Sequence, residues 1–558
     1  MRILKALLVL ILVVGALPLA AGDQQPGTLD QVVDRVITRE TALMGSLRQY
    51  TPLVETYIQN LKADKDLGSV PAGDKYFLGR AELSKGVELR SLTEKSGKAH
   101  RALGGVGSFF SFSMEYLPRG FLQMIYLDMN GFDRQHYNFD YVRREFLGEV
   151  RCLVFDVTPL AKAGKGRFLG RIWVEDQDFT IVRFNGAYTG SSNSKFYFHF
   201  DSWRVNAGPG LWLPAFIYSE ESDLPYALVR HLQFKAQTRL WGYNLGRSGQ
   251  EQELSKVLVE AAQPVRDTTV STNDPAPVQA QRNWDRQAED NVIDRLQRMG
   301  LLAPPNEVDK VLETVVNNLE VTNGLDIQPE VRCRVLLTST FESFALGHTL
   351  VLSRGLIDVL PDEATLAAMV AHELGHVALG HRIDPQYAFF DRLLFDDKET
   401  FQHFLFARPQ SEEDAANQKA MEMLKNSPYK GQLANTALFL QELNARAKEI
   451  PNLVSPHLGN RVPDNSELRQ LASPADPKDP KRANQIAALP LGGRVKLDPW
   501  TDRIEMLKSK PVGNVTEREK MPFEVTPFMP FLTRQSSSLQ APAAITAESK
   551  QNTKKPRK

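Results

Sequence analysis

Apolar residues recur at helical spacing through 29–62, at Val32, Val33, Val36, Ile37, Leu43, Leu47, Tyr50, Leu53, Val54, Tyr57 and Ile58. That stripe predicts one or two amphipathic helices leading a domain. From about residue 74 to 261 the texture changes. Runs at 109–116, 152–157, 168–174, 181–188, 196–204, 212–220 and 228–238 are β-rich, and Gly, Pro, Asn and Asp punctuate them. They read as successive antiparallel strands, so an α+β domain with one curved sheet is expected. Residues 268–281 hold few large apolar side chains and read as exposed linker. Helical patterns return at 288–299, 308–319 and 432–447, with strand-like runs at 332–340 and 349–357. The second domain is therefore mainly helical with a small β-hairpin or sheet. The expected boundaries are 1–22 for a leader, 23–262 for the sheet domain and 263–282 for the linker. The helical domain then covers 283–515, and 516–558 is an extension, disordered from about 534.

Candidate chemistry concentrates in one helix. Residues 366–379 are almost wholly apolar or small and lack proline, while Asp362 can cap the start and Glu363 adds charge to the first turn. Inside it stands His372-Glu373-Leu374-Gly375-His376. Residues four apart lie about 40° apart around a helix, so both imidazoles can face one ion, as tetrahedral zinc requires. Glu373 lies about 100° round from His372, placed to take a proton from a water that zinc activates.

Zinc needs a third protein ligand. A third histidine ten residues after the first is one arrangement, but Gly380 and His381 stand at the eighth and ninth positions. On a continuing helix His381 would point about 180° from His372, which excludes it. The other arrangement takes a glutamate from a later helix. Residues 411–421, after Pro409, read as such a helix, with Glu413, Ala416, Asn417 and Ala420 close to one face.

These residues carry a resemblance. Ala371-to-His381 (AHELGHVALGH) followed by E-x-x-A-N resembles the HtpX, BepA and CAAX-prenyl-protease type of gluzincin metallopeptidase. The family's second motif is E-x-x-A-D, and its glutamate, the third zinc ligand, falls on Glu413. The family's aspartate falls on Asn417, which can still accept a hydrogen bond from a zinc-bound histidine but lacks the charge that raises ligand basicity. The resemblance implies a zincin domain, one zinc per chain and polypeptide substrates. It also implies an edge strand, here Ser343, Phe344 and Ala345, that pairs with an extended substrate. Ser343-Phe344 replaces the usual Asn-Ala, so substrate preference does not carry over. Residues 455–462 resemble the family's histidine-proline…arginine segment with altered spacing, offering His457 or Arg461 to stabilise the oxyanion. The sheet domain faintly resembles the LolA-like lipoprotein-carrier fold, on strand order and on residues 170–176 (GRIWVED). Phe196, Phe198, Phe200, Tyr126, Phe132, Tyr137, Trp173, Trp203 and Trp212 are either its core or an apolar-ligand surface.

Composition narrows the setting. Formal net charge is zero and hydrophobic content 42%. With no broad basic face or stacking-aromatic pattern in the folded parts, nucleic acid is a poor candidate partner. Arg2 and Lys5, an apolar run at 6–17 and Ala20-Ala21-Gly22 have the layout of a secretory signal peptide, and nothing later reads as a transmembrane helix. Cys152 and Cys333 fall in strand-like segments of different domains and are expected to be buried free thiols. Residues 387–406, rich in Phe and Leu but broken by charges, suit a lid, a groove wall or plain core. The whole reads as an exported, periplasmic or envelope-associated zinc endopeptidase cleaving polypeptides, among them unfolded or outer-membrane proteins. A lipid or lipoprotein is the candidate ligand of the first domain. The alternative is a chaperone-like or lipoprotein-binding protein with weak or vestigial protease activity.

Overall fold

The computed structural model describes residues 29–64, 68–84, 87–93, 118–129, 131–189, 198–227, 230–245, 277–382, 396–462, 495–506 and 532–534. The leader at 1–22, the run at 109–116, Phe196, residues 263–276 of the linker and the tail after 534 lie outside them. Helix Leu29–Leu47 leads, as the apolar stripe predicts. It does not continue to 62. Strand β1, Leu53–Asp64, begins just after Pro52, and its residues are apolar on both faces because it is covered on both. Leu53 and Tyr57 face the helical domain while Val54 and Ile58 face the sheet domain's own core. Two-sided burial removes the period of two that would have marked a strand.

Nine more strands follow: β2 Gly68–Glu82, β3 Glu88–Ser91, β4 Tyr137–Leu147, β5 Val150–Pro159, β6 Phe168–Glu175, β7 Ile181–Tyr188, β8 Phe200–Gly208, β9 Leu211–Ala227 and β10 Arg230–Trp241. They form one ten-stranded antiparallel sheet in the order β3-β2-β1-β10-β9-β8-β7-β6-β5-β4. The leading helix lies on one face, its Glu40 accepting two hydrogen bonds from the buried Arg204 of β8 at 2.6 and 2.7 Å. Around it pack Phe121, Phe132, Tyr137, Phe200 and Phe234. Trp173, Trp203 and Trp212 are core on the opposite face, beside Leu532. The Leu532 carbonyl accepts from the Glu149 amide at 2.8 Å and Arg534 pairs with Glu175, so the extension returns to the sheet domain. Cys152 and Cys333 are both free and buried.

The second unit opens with helix Pro277–Arg298, which starts inside the stretch read as linker. Helix Glu307–Asn323 follows, closed by a capping box between Asn306 and Asp309. Strands β11 Arg332–Leu336, β12 Glu342–Leu346, β13 Thr349–Ser353 and β14 Asn460–Arg461 make a four-stranded sheet in the order β11-β13-β12-β14. Only β11 and β13 run parallel. The histidine helix, Glu363–Ala378, packs on β12 and β13, and the glutamate helix, Gln410–Lys425, packs on the histidine helix. Helix Asp397–His403 lies between them in sequence, and Phe401, Phe404 and Phe406 belong to the core there. Among the described residues no helix is long and apolar enough to cross a membrane.

The two units share a core: Leu53, Tyr57, Leu78 and Trp241 of the sheet pack with the helical unit. Polar contacts reinforce it. Glu55 on β1 accepts from the Ser339 hydroxyl at 2.6 Å and its amide at 2.5 Å, and from the Tyr76 hydroxyl at 2.8 Å. Asp74 on β2 accepts from the Asn452 and Leu453 amides at 3.1 and 2.9 Å.

Asp502 completes the contact, accepting from the Gly242 amide at 2.8 Å. Burial, with Asp498 nearby, pushes its carboxyl up to about 7, although the Gly242 amide and Arg80 pull the other way. A carboxyl whose folded pKa is raised binds its proton more tightly when folded. Its stabilising contribution is full below about pH 4 and drains away as pH rises to about 7. Asp502→Asn keeps the acceptor, and asparagine tolerates the φ of 56° found there. That variant is expected to match the parent near pH 4.5 and to exceed it by about 1–3 kcal/mol near pH 8. Denaturant midpoints at the two pH values check this, and an equal shift at both would contradict it.

Candidate metal centre

The histidine helix forms because its cap and its burial agree. Asp362 accepts from the Thr365 amide at 2.8 Å, and the run from Ala364 to His376 is buried on nearly every side. The helix stops at Gly380, whose φ of 71° suits a residue without a Cβ. The glutamate helix starts after Pro409 and carries Glu412 and Glu413 in its first turn. The two helices meet at Gly375 and Ala416: a Cβ on Gly375 would lie 2.9 Å from the Ala416 carbonyl oxygen.

That contact delivers Glu413 to the histidines. Its carboxylate oxygens lie 3.2 Å from His372 Nε2 and 3.2 Å from His376 Nε2, and the two Nε2 atoms are 3.3 Å apart. Ligands about 2.0–2.1 Å from a tetrahedral zinc stand about 3.3 Å from one another, so the donor spacing fits the ion. Charge fits too. Burial pushes the His372 pKa down, but the Glu413 and Glu373 carboxylates outweigh it and leave it raised. Burial would raise Glu413, yet the two imidazoles hold it well below the usual carboxylate range. One anionic carboxylate between two nitrogen donors is an arrangement that could hold a cation.

The neighbours orient these groups. Asn417, one turn after Glu413, places Oδ1 2.9 Å from His372 Nδ1. Ser343 on β12 donates to Glu373 Oε1 at 2.6 Å. A cavity of about 210 Å³ opens here, lined by Ser343, His372, Glu373, Glu413, Arg408 and Asn460 among others.

Not every candidate reaches it. His457 does not line the cavity: its ring lies 5.2 Å from Tyr76 and 6.3 Å from Phe401, and its amide donates to Glu342 at 3.1 Å. The backbone of Arg461 pairs with Glu342 in β14, and its side chain lies outside the described residues. Along the expected substrate edge, Ser343 pairs with Asn460, Phe344 packs on Phe406, and the Ala345 carbonyl accepts from Arg408 at 3.0 Å. Arg408 and Asn460 are cavity residues that sequence reasoning missed. A signal for Arg408 existed in its position four residues before Glu412, which it pairs with at 3.2 Å. His381 is absent from the triad as expected, but for another reason: Gly380 ends the helix and turns His381 back towards His376.

Comparison with known proteins agrees with this geometry. Residues 306–450 match the model of peptidase family M48. A stretch of 94 residues is 33% identical to Metalloprotease LoiP of Escherichia coli (strain K12), covering 16% of this chain and 36% of that protein's length. Two solved structures align with 41% and 39% of this chain. One is a DUF1329 family protein from Desulfovibrio piger, 12% identical over 98% of its length at a TM-score of 0.19. The other is a LolA superfamily protein from Nitrosomonas europaea, 12% identical over 93% of its length at 0.21. Scores so low assign the chain no ligand. The match over 306–450, which contains both motif helices and the convergent triad, makes this segment a peptidase family M48 domain.

Proposed function

We propose that this chain is an exported zinc-dependent metalloendopeptidase acting in envelope protein quality control or processing. The observation that carries the peptidase reading is the convergence of His372, His376 and Glu413 with Glu373 beside them in one cavity. Export rests on the charged and apolar pattern of residues 1–22. His372, His376 and Glu413 would hold the ion. Bound zinc supplies Lewis acidity, which polarises a carbonyl and lowers the pKa of water towards neutrality.

The chain's own residues do the rest. Glu373 accepts the proton of the attacking water and passes it to the leaving amine. Ser343 fixes the rotation of that carboxylate through its 2.6 Å hydrogen bond. Arg408 and Asn460 bring polar groups to the cavity where a tetrahedral oxyanion would need donors. A lipid at the sheet domain is less well supported, because its own helix and aromatic side chains fill one face. The second reading, a chaperone-like protein with vestigial activity, rests on Asn417 standing where the family has an aspartate and on the altered spacing of the His457 segment. Against it, Asn417 already makes the hydrogen bond that the aspartate would make.

Two experiments separate these readings. Glu373→Gln is expected to retain one zinc per chain while cleavage of an unfolded protein such as casein falls by about 10²–10⁴; undiminished cleavage would sink the mechanism. Glu413→Ala should lose zinc and activity together, whereas Glu412→Ala and Asp414→Ala should keep most of both. Asn417→Asp should hold or raise zinc affinity, by about tenfold or more. Metal analysis of each purified variant reads all four outcomes, and zinc loss in Glu412→Ala but not Glu413→Ala would refute the ligand assignment.

A further inference from the structure

His381 lies outside the triad, yet it is aimed at it. Gly380, with φ 71°, ends the histidine helix, and the His381 amide donates back to the His376 carbonyl at 3.0 Å. This fold-back brings His381 Nδ1 to 2.9 Å from His376 Nδ1. Two imidazole nitrogens at that distance form a hydrogen bond only if one carries a proton and the other a lone pair. His376 settles which. Its Nε2 faces Glu413 and His372 Nε2, so Nε2 must present the lone pair to a cation. The proton of neutral His376 is then on Nδ1, and His381 Nδ1 accepts it.

We propose that His381 is the positioning residue of His376, fixing its tautomer and ring orientation as a metal ligand. The proposal rests on the zinc reading above. It makes the site's outer support symmetrical: Asn417 Oδ1 serves His372 as His381 Nδ1 serves His376. Both acceptors are neutral, where a ligand histidine often has a carboxylate. The ring of His376 is 1% exposed and that of His381 16%, so water has little room to take the acceptor's place.

His376, His381 and Glu412 also lie close enough together to suggest a second cation site. Chemistry favours the hydrogen bond. A cation between the two Nδ1 atoms would require His376 to lose its remaining proton, and Glu412 already pairs with Arg408 at 3.2 Å.

The test uses the full chain and zinc itself. Zinc content and affinity, by competition with a chelator, are measured for the parent, His381→Ala and His381→Asn, with circular dichroism of the metal-free proteins as the folding control. Asparagine places Oδ1 at the same bond separation from Cα as Nδ1 of histidine, so it restores the acceptor without the ring. Expected are a loss of about 10–100-fold in affinity for His381→Ala and a value near the parent's for His381→Asn, with unchanged metal-free spectra. Equal affinity of parent and His381→Ala overturns this proposal alone. So does an equal loss in both variants, or two zinc ions per parent chain. A parent that binds no zinc overturns the zinc reading, and this proposal with it.

Discussion

The contact of Gly375 with Ala416 sets the position of everything in the site. The glycine lies one residue before His376, on the histidine helix, and the alanine three after Glu413, on the glutamate helix. No side chain fits between the backbones there, since even a Cβ would approach a carbonyl oxygen to 2.9 Å. Ala420, one turn further on, is also fully buried. Close approach is what lets a side chain as short as glutamate reach both Nε2 atoms while Asn417, four residues on, reaches the outer nitrogen of His372. The i, i+3, i+4 spacing of Glu413, Ala416 and Asn417 thus encodes one contact surface, in which the small residue sets the distance and the two polar ones use it.

The sheet domain extends that constraint to Glu373. Glu55, buried, holds Ser339 just before β12, and Asp74 caps the turn at 451–454 that leads to β14. Between these anchors Glu342 accepts from the His457 and Leu458 amides at 3.1 and 3.2 Å. Strand β12, whose Ser343 holds Glu373, and the segment that leads to β14 are therefore each tied to the sheet domain by a buried carboxylate. Leaving such a group without its donors costs about 1–3 kcal/mol or more. The sheet domain is in this sense part of the peptidase scaffold, whatever else it binds. His457 belongs to this tie, with its ring against Tyr76, rather than to the cavity.

What the sequence made legible was what depends on short spacing. The spacing of the two histidines and Glu373 follows from a helical repeat and the choice of Glu413 from the resemblance of its E-x-x-A-N run, and the structure brings His372, His376 and Glu413 together. Strands β5 to β10 were legible as β-rich runs between turn residues, whereas β4, a largely exposed and charged edge strand, was not. Residues 53–62 were not, because a strand buried on both faces shows no alternation and its apolar positions mimicked a helix. Arg408 and Asn460 escaped notice because tertiary contacts bring them to the cavity from 408 and 460, outside either motif. His381 was misjudged for a local reason. A continuing helix would point it away, whereas Gly380 stops the helix and returns His381 to His376.

The same geometry limits how a peptide can meet this site. An extended chain that pairs with β12 needs free carbonyls and amides along the edge facing the cavity. At Glu342 and Ser343 the edge is taken by β14, and the Ala345 carbonyl already accepts from Arg408. Arg408 is itself held by Glu412, the neighbour of Glu413. A substrate amide that approaches the Ala345 carbonyl therefore shares it with, or displaces, a guanidinium that lines the cavity. Under the proposed function, a displaced guanidinium would be a cationic donor in the cavity where the scissile carbonyl would gain negative charge. Exchanging a neutral backbone acceptor for a developing oxyanion would strengthen the hydrogen bond, because the guanidinium then faces an opposite charge in a site shielded from water. Substrate pairing and transition-state stabilisation would then draw on one side chain.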